Sequence, residues 1–256
     1  MKKHGLIITI IILLMPIFCL GQNCENNSTK KKNFEEMKSL LVKKIHFNTN
    51  IPSISEVKKE LDARNVEFHL IDEINWSAYP YNPEVKFRIA YSDTEIYLQF
   101  MVKEHDTRAT FGEDEGSRPY TDSCVEFFMI PSDKDTIYYN LEMNCIGYGT
   151  FSGGELRHNR TKFPYKVTSQ IRRESTLGNK PFGEKEGDVE WSLILAVPIS
   201  IYSLSEFTPL TGRSVKANFY KCGDNMKTPH YLSWNPIGTE RPNFHTPDYF
   251  GTIIFE

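Results

Sequence analysis

The chain has 256 residues, 39% hydrophobic and 25% charged, with a formal net charge of −3. The near-neutral, slightly acidic balance excludes the basic stripe that a nucleic-acid partner requires. Five cysteines without a CxxC motif or a close Cys/His cluster give no sign of a thiolate metal finger.

The N-terminus reads MKKHGLIITIIILLMPIFCLGQ. Two lysines precede a short apolar run from Leu6 to Leu20, which then meets Gly21 and a polar stretch. This layout predicts a secretory signal peptide over 1–21, cleaved after Gly21, rather than a membrane span. The expectation is export to the periplasm or the outside of the cell, with no stable membrane span once the peptide is removed. Lipid anchoring is less favoured, because Phe18 and Asn23 precede Cys19 and Cys24 where a small residue belongs. Losing Lys2 and Lys3 moves the formal charge from −3 to about −5, an ordinary soluble surface.

Residues 22–45 are polar, carry three consecutive lysines at 30–32 and read as a spacer, so the domain is expected over 46–256. Ser53-Ile54-Ser55-Glu56 has the form of a capping box, with Val57 and Leu61 four apart behind it, and predicts a short helix near 54–63. From there the hydrophobic period changes to two. Val85, Phe87, Ile89 and Tyr91 alternate with polar residues, Ser92-Asp93-Thr94 makes a turn, and IYLQFMV at 96–102 returns. CVEFFMI at 124–130 and YYNLEMNC at 138–145 form a second pair. Further strands are expected at 165–173, 189–197, 215–221 and 250–255. Many strands, turns between them and almost no helix predict an all-β protein, an antiparallel β-sandwich of jelly-roll or immunoglobulin-like type with one or two short helices.

Alternation assigns the side chains to faces. Tyr139, Leu141, Met143 and Cys145 fall on a core face, and Asn140, Glu142 and Asn144 on the other. Glu126 lies within an otherwise apolar strand, where a carboxylate must be hydrogen-bonded, paired with a cation or set at a cleft. Asn218 shares a face with Lys216 and Tyr220. Near the C-terminus, WNPIGTERPNFHTPDYFGTIIFE sets aromatic residues in irregular backbone, either to lid the core or to stack on a ligand. Strand-borne acids and amides beside loop aromatics suit sugars, whose C–H faces stack on rings and whose hydroxyls take paired hydrogen bonds.

In order, TDSCVEFFMIP, LEMNCIGYGTF, DVEWSLILAVP, SVKANFYKCG and YLSWNPIGTERPNFHTPDYFGTIIF resemble the family 9 carbohydrate-binding modules and their family 9-like relatives, over about residues 70–256. The resemblance implies a non-catalytic protein that holds an oligosaccharide or polysaccharide between two rings, in carbohydrate catabolism. It places Tyr120 and Phe244 as the rings and Glu126, Glu142, Asn144 and Asn218 as the hydroxyl-binding groups. Arg241 and His245 are secondary candidates, and Trp234 and Tyr249 are assigned to packing. The chain departs from the best-known members in having Tyr and Phe where they have Trp, and Glu142 where a basic residue is frequent. The family also implies structural calcium, for which Asp72-Glu73 and Glu113-Asp114-Glu115 offer oxygens, but no ligand is assigned and no cofactor is required.

Two other readings stand beside this one. Glu126 and Glu142 could serve as the paired carboxylates of a glycoside hydrolase, the activity with which such modules often travel. A haem-binding sandwich would use a Met and a His, from Met101, Met129, Met143 and His105. The thiols are expected either free and buried or as one Cys124–Cys145 bridge.

Overall fold

The computed structural model describes residues 37–132, 134–206 and 209–256. The expected signal peptide and most of the spacer lie outside the described residues, as does Cys24. The rest of the spacer does not behave as one: Ser39–Lys44 is a strand, so the fold begins before residue 46.

Eleven strands form one continuous path. It runs Thr161–Lys162, Gly149–Gly154, Tyr138–Asn144, Cys124–Ile130, Ser214–Cys222, Gly251–Phe255, Ser39–Lys44, Glu84–Tyr91, Glu95–Glu104, Val189–Pro198, Arg172–Ser175. The path curls into two facing layers, and Ser39–Lys44 makes the corner. Ser39 to Val42 pair in parallel with Thr252 to Phe255, and Lys43 and Lys44 pair in parallel with Ala90 and Tyr91. A strand that switches layers in this way is how a sandwich closes one side. The remaining pairings along the path are antiparallel.

Period-two alternation carries through to the core. Val125, Phe127 and Met129 from one layer meet Val85, Phe87 and Ile89 from the other, all 2% exposed or less. Phe87 and Phe219 stack across the interface at 3.6 Å between ring centroids. Burying each such ring stabilises the fold by about 1.5–3 kcal/mol.

Both outer faces are partly covered. The helix Ile54–Ala63 has the expected capping box: Ser53 Oγ accepts from the Glu56 amide (3.2 Å) and Glu56 Oε2 accepts from the Ser53 amide (2.7 Å). It buries Val57 and Leu61 against Ala90, Tyr97, Ile194 and Ala196 on the back of the second layer. On the back of the first layer, Phe128, Tyr138 and Tyr220 are covered by Trp76, Ile237, Phe244 and Phe250. The C-terminal loop is therefore folded over a sheet face.

Two expectations are corrected. The strand expected at 165–173 is a helical turn, Tyr165–Thr168, followed by a strand at Arg172–Ser175. Pro164 marks the break: it stands in extended backbone just before the helical turn and donates no ladder hydrogen bond. The Cys124–Cys145 bridge does not form: both thiols are free, and they sit on opposite faces of the first layer.

Candidate functional site

Three neighbouring strands, Tyr138–Asn144, Cys124–Ile130 and Ser214–Cys222, build the floor of a cavity of about 710 Å³ on the back of the first layer. Glu126 is opposite Glu142 on one side and Tyr220 on the other. Glu126 has no cationic partner among the described residues. Instead its Oε1 accepts from the Cys222 thiol at 3.1 Å. Burial, with Cys222 and Glu142 nearby, pushes its carboxyl well above the usual range. Glu142 is also raised by burial, opposed by the hydrogen bond from Asn140 Nδ2 (2.7 Å) and by the Arg160 charge. Beside it, Gly149 has no room for a side chain, since a Cβ there would lie 1.8 Å from the Glu142 carbonyl oxygen.

Tyr120 and Phe244 line the same cavity from separate segments. Tyr120 rides on the helical turn Pro119–Thr121 and is 38% exposed; the Asp224 amide donates to its carbonyl at 2.9 Å, tying the turn down. Phe244 is 9% exposed. One of its faces stacks on Tyr220 at 4.2 Å with an 11° interplanar angle, and its edges meet Trp76 and Tyr231. Tyr120 and Phe244 make no ring contact with each other. His245 lines it too, with Nδ1 at 3.0 Å from the Tyr138 hydroxyl, and burial pushes its imidazole down to about 3.

Asn144 and Asn218 do not line the cavity. Both are fully buried and occupied. Asn144 Nδ2 donates to the Phe111 carbonyl (2.9 Å) and to Asp122 (3.2 Å), while its Oδ1 accepts from the Tyr148 amide (2.9 Å). Asn218 Oδ1 accepts from the Phe219 and Asn235 amides, both at 2.9 Å, and its Nδ2 donates to the Asn235 and Tyr249 carbonyls at 3.4 Å. Asn144 thus steadies the segment that carries Tyr120, and Asn218 the loop that carries Phe244. Arg241 is exposed and outside the cavity lining. Trp234 packs edge-on against Phe87 and Phe219 in the core, and Tyr249 packs at the margin of the outer cluster.

Sequence reasoning missed the cationic wall. Arg157, His158, Arg160 and Lys162 reach the cavity from the loop and short strand after Gly154. Arg160 is the best fixed: Nε donates to Asn140 Oδ1 (2.9 Å), Nη2 to the Tyr138 carbonyl (2.7 Å), and the guanidinium lies 3.9 Å from the Tyr138 ring centroid. The signal was present in GGELRHNRTK, a glycine pair followed by three basic side chains within four residues. This loop, not Arg241, brings a cation to the site, and the Arg160 charge acts on Glu142.

Three of the acids considered for calcium have cationic partners. Asp72 and Glu73 pair with Lys38 (3.3 and 3.0 Å), and Asp114 takes Arg173 at 2.7 and 2.9 Å. The haem candidates do not converge. His105 is at the surface against Asp188, Met129 and Met143 are between the layers, and Met101 is exposed on the other layer.

Comparison with known proteins agrees with this architecture. The model of carbohydrate-binding family 9 matches residues 55–255. A crystal structure from Bacteroides uniformis, described as a "putative carbohydrate-binding protein", is 43% identical, covers 86% of this chain and 100% of its own, and superposes with a TM-score of 0.82. Two structures of a family 9 carbohydrate-binding module from Caldicellulosiruptor kristjanssonii, one with glucose and one with cellotriose, share the fold at 14% identity. They give TM-scores of 0.52 and 0.53, covering 86% of this chain and 96% and 94% of theirs. No curated protein sequence matches the chain. The matched family model spans every strand of the path except Ser39–Lys44, with the cavity floor and both ring-bearing segments, and the chain belongs to carbohydrate-binding family 9.

Proposed function

We propose that the chain holds a short oligosaccharide without covalent change in the cavity between Tyr120 and Phe244. The observation that carries this reading is that one cavity has an aromatic residue from each of two separate segments and a floor of Glu126 and Glu142. A pyranose offers apolar C–H faces to the rings and hydroxyls to the acids, to His245 and to Arg160. Burial favours the protonated form of both floor carboxyls, and a protonated carboxyl donates as well as accepts hydrogen bonds. The related module that binds glucose and cellotriose supports a glucan-type ligand as the first to test. The N-terminal apolar run supports export, and with it a role in capturing sugar for catabolism outside the cytoplasm; among the described residues no helix is long and apolar enough to cross a membrane.

A hydrolase would need its two carboxyls split, one held as an acid and the other ionised. In this cavity burial raises both, Glu126 the more, while the Asn140 hydrogen bond and the Arg160 charge oppose the rise at Glu142, so only an assay for cleavage separates the two readings. Calorimetric titration of the purified chain with glucose, cellotriose and xylo-oligosaccharides tests the proposal. Saturable binding without release of reducing ends is expected. Absence of binding to any of a broad glycan panel sinks the reading, and steady product formation abolished by Glu126→Gln replaces it with hydrolysis.

A further inference from the structure

Beside Glu126, the cavity floor holds two thiols that sugar binding does not call for. Cys124 and Cys222 stand opposite each other on neighbouring strands, and Glu126 is two residues from Cys124 on the same face. One donor atom from each of the three lies within 4.8 Å of the others. Glu126 Oε1 is 3.1 Å from Cys222 Sγ and 3.9 Å from Cys124 Sγ. Cys124 and Cys222 are free thiols, 0% and 1% exposed, and Glu126 is 3% exposed.

We propose that Cys124, Cys222 and Glu126 form a binding site for one thiophilic divalent cation of the zinc type, set into the floor of the cavity. Tetrahedral zinc, with Zn–S of about 2.3 Å and Zn–O of about 2.0–2.2 Å, separates neighbouring donor atoms by about 3.6–3.8 Å. The two sulfur–oxygen distances bracket that spacing and the two sulfurs lie within 4.8 Å of each other, so closing the site takes side-chain shifts of no more than about an ångström. Two sulfur donors select a soft or borderline ion over calcium or magnesium. Residues two apart on one strand, together with the residue opposite, are held by the ladder itself, so the sheet presets the donors. Glu126 and Cys222 also line the cavity, which supplies an entry path and leaves the fourth coordination position for water or a ligand hydroxyl. On binding, each thiol and the Glu126 carboxyl release their protons to solvent, and the ion is held by two thiolates and a carboxylate. The site goes beyond the saccharide reading and does not depend on it.

Cobalt(II) titration of the reduced full chain under anaerobic conditions tests the site. One equivalent should produce visible ligand-field bands of a tetrahedral ion and a near-ultraviolet thiolate charge-transfer band, both displaced by zinc. Cys124→Ser and Cys222→Ser should each abolish these bands, Glu126→Gln should weaken uptake by at least about tenfold, and Cys145→Ser, a buried thiol elsewhere, should leave it unchanged. Thermal melts verify that the variants fold. Should they fail to fold, zinc-edge X-ray absorption on the unmodified chain decides instead: two sulfur scatterers are expected, and a shell of nitrogen and oxygen alone overturns the proposal. It is equally overturned if no saturable uptake occurs, if the bands survive in the double serine variant, or if Cys124 and Cys222 are joined in a bridge that resists reduction in the folded chain.

Discussion

The Ser214–Cys222 strand separates two buried acids that are managed in opposite ways. On its inner face, Lys221 reaches Glu104 of the other layer at 2.8 Å, both side chains fully buried. Lys221 also donates to His230 Nε2 at 2.7 Å, and Trp191 Nε1 donates to Glu104 at 2.7 Å. On its outer face, one residue on, Cys222 donates to Glu126, which has no lysine or arginine beside it. The first acid is neutralised by a fixed cation and bridges the layers. The second has no counter-charge, and burial at the floor of an open cavity pushes its carboxyl towards the protonated form. A carboxyl kept in reserve in this way is available to a ligand, whereas one already paired is not.

The same substitution at the two positions gives the sharpest contrast. Glu104→Gln leaves the Lys221 ammonium buried without its counter-charge and should cost about 3–5 kcal/mol. Glu126→Gln breaks no ion pair, swaps the carboxyl for an amide of the same shape and should change stability by less than about 1 kcal/mol. Urea denaturation at pH 7 measures both, and similar losses at the two sites would show that Glu126 is ionised and structurally paired after all.

Phe244 and Tyr120 repeat the contrast within the cavity. Phe244 is anchored in an aromatic cluster, so Phe244→Ala should destabilise the fold by about 3 kcal/mol as well as weaken binding. Tyr120, on an exposed turn, should separate the two effects: Tyr120→Ala is expected to cost about 1–3 kcal/mol of sugar affinity with a small change in melting temperature. An unchanged titration curve for Tyr120→Ala would remove it from the site.

Asn144 and Asn218 show how far a sequence can be read and where reading stops. The period-two pattern is legible because the sheet enforces it, and it correctly put Glu126, Glu142, Asn144 and Asn218 on the face away from the inter-layer core. It could not tell which of those side chains face the cavity and which are covered by loops. That depends on Phe111, Tyr148 and Asn235, whose contacts with the asparagines span from 4 to 33 residues of chain. The Arg160 wall was hidden for a similar reason, because its place is set by Tyr138 and Asn140 on another strand. The Ser39–Lys44 strand was missed because Lys43 and Lys44 sit at a sheet corner, where charged side chains are tolerated. The two asparagines are nevertheless expected to matter indirectly. Asn218→Ala should cost about 1–3 kcal/mol of stability by leaving the Asn235 amide unsatisfied, with any loss of sugar affinity following from a displaced Phe244 loop.

The smallest expected effect is a pair of opposed pH slopes at the cavity rim. Burial pushes the Asp224 carboxyl up to about 6, against an opposing hydrogen bond from Tyr231. An unfolded aspartate ionises near pH 3.9, so between about pH 4 and 6 the folded chain holds a proton that the unfolded chain has released. Asp224 therefore contributes most to stability below pH 4, and that contribution is lost as pH rises to about 6. His245 acts in the other direction: its pKa is pushed down to about 3, by burial and then by Arg160 and Arg157, so its contribution is complete above about pH 6.5 and is lost on acidification. In the intact chain the two slopes partly cancel. Asp224→Asn should remove the first and leave a steeper acid loss, with its largest gain over the unmodified chain, screened by solvent to roughly 1 kcal/mol, at neutral pH. His245→Gln should flatten the acid side. Melting temperatures at pH 4, 5, 6 and 7 test this, and curves that stay parallel for all three proteins would mean that neither group changes its protonation on folding.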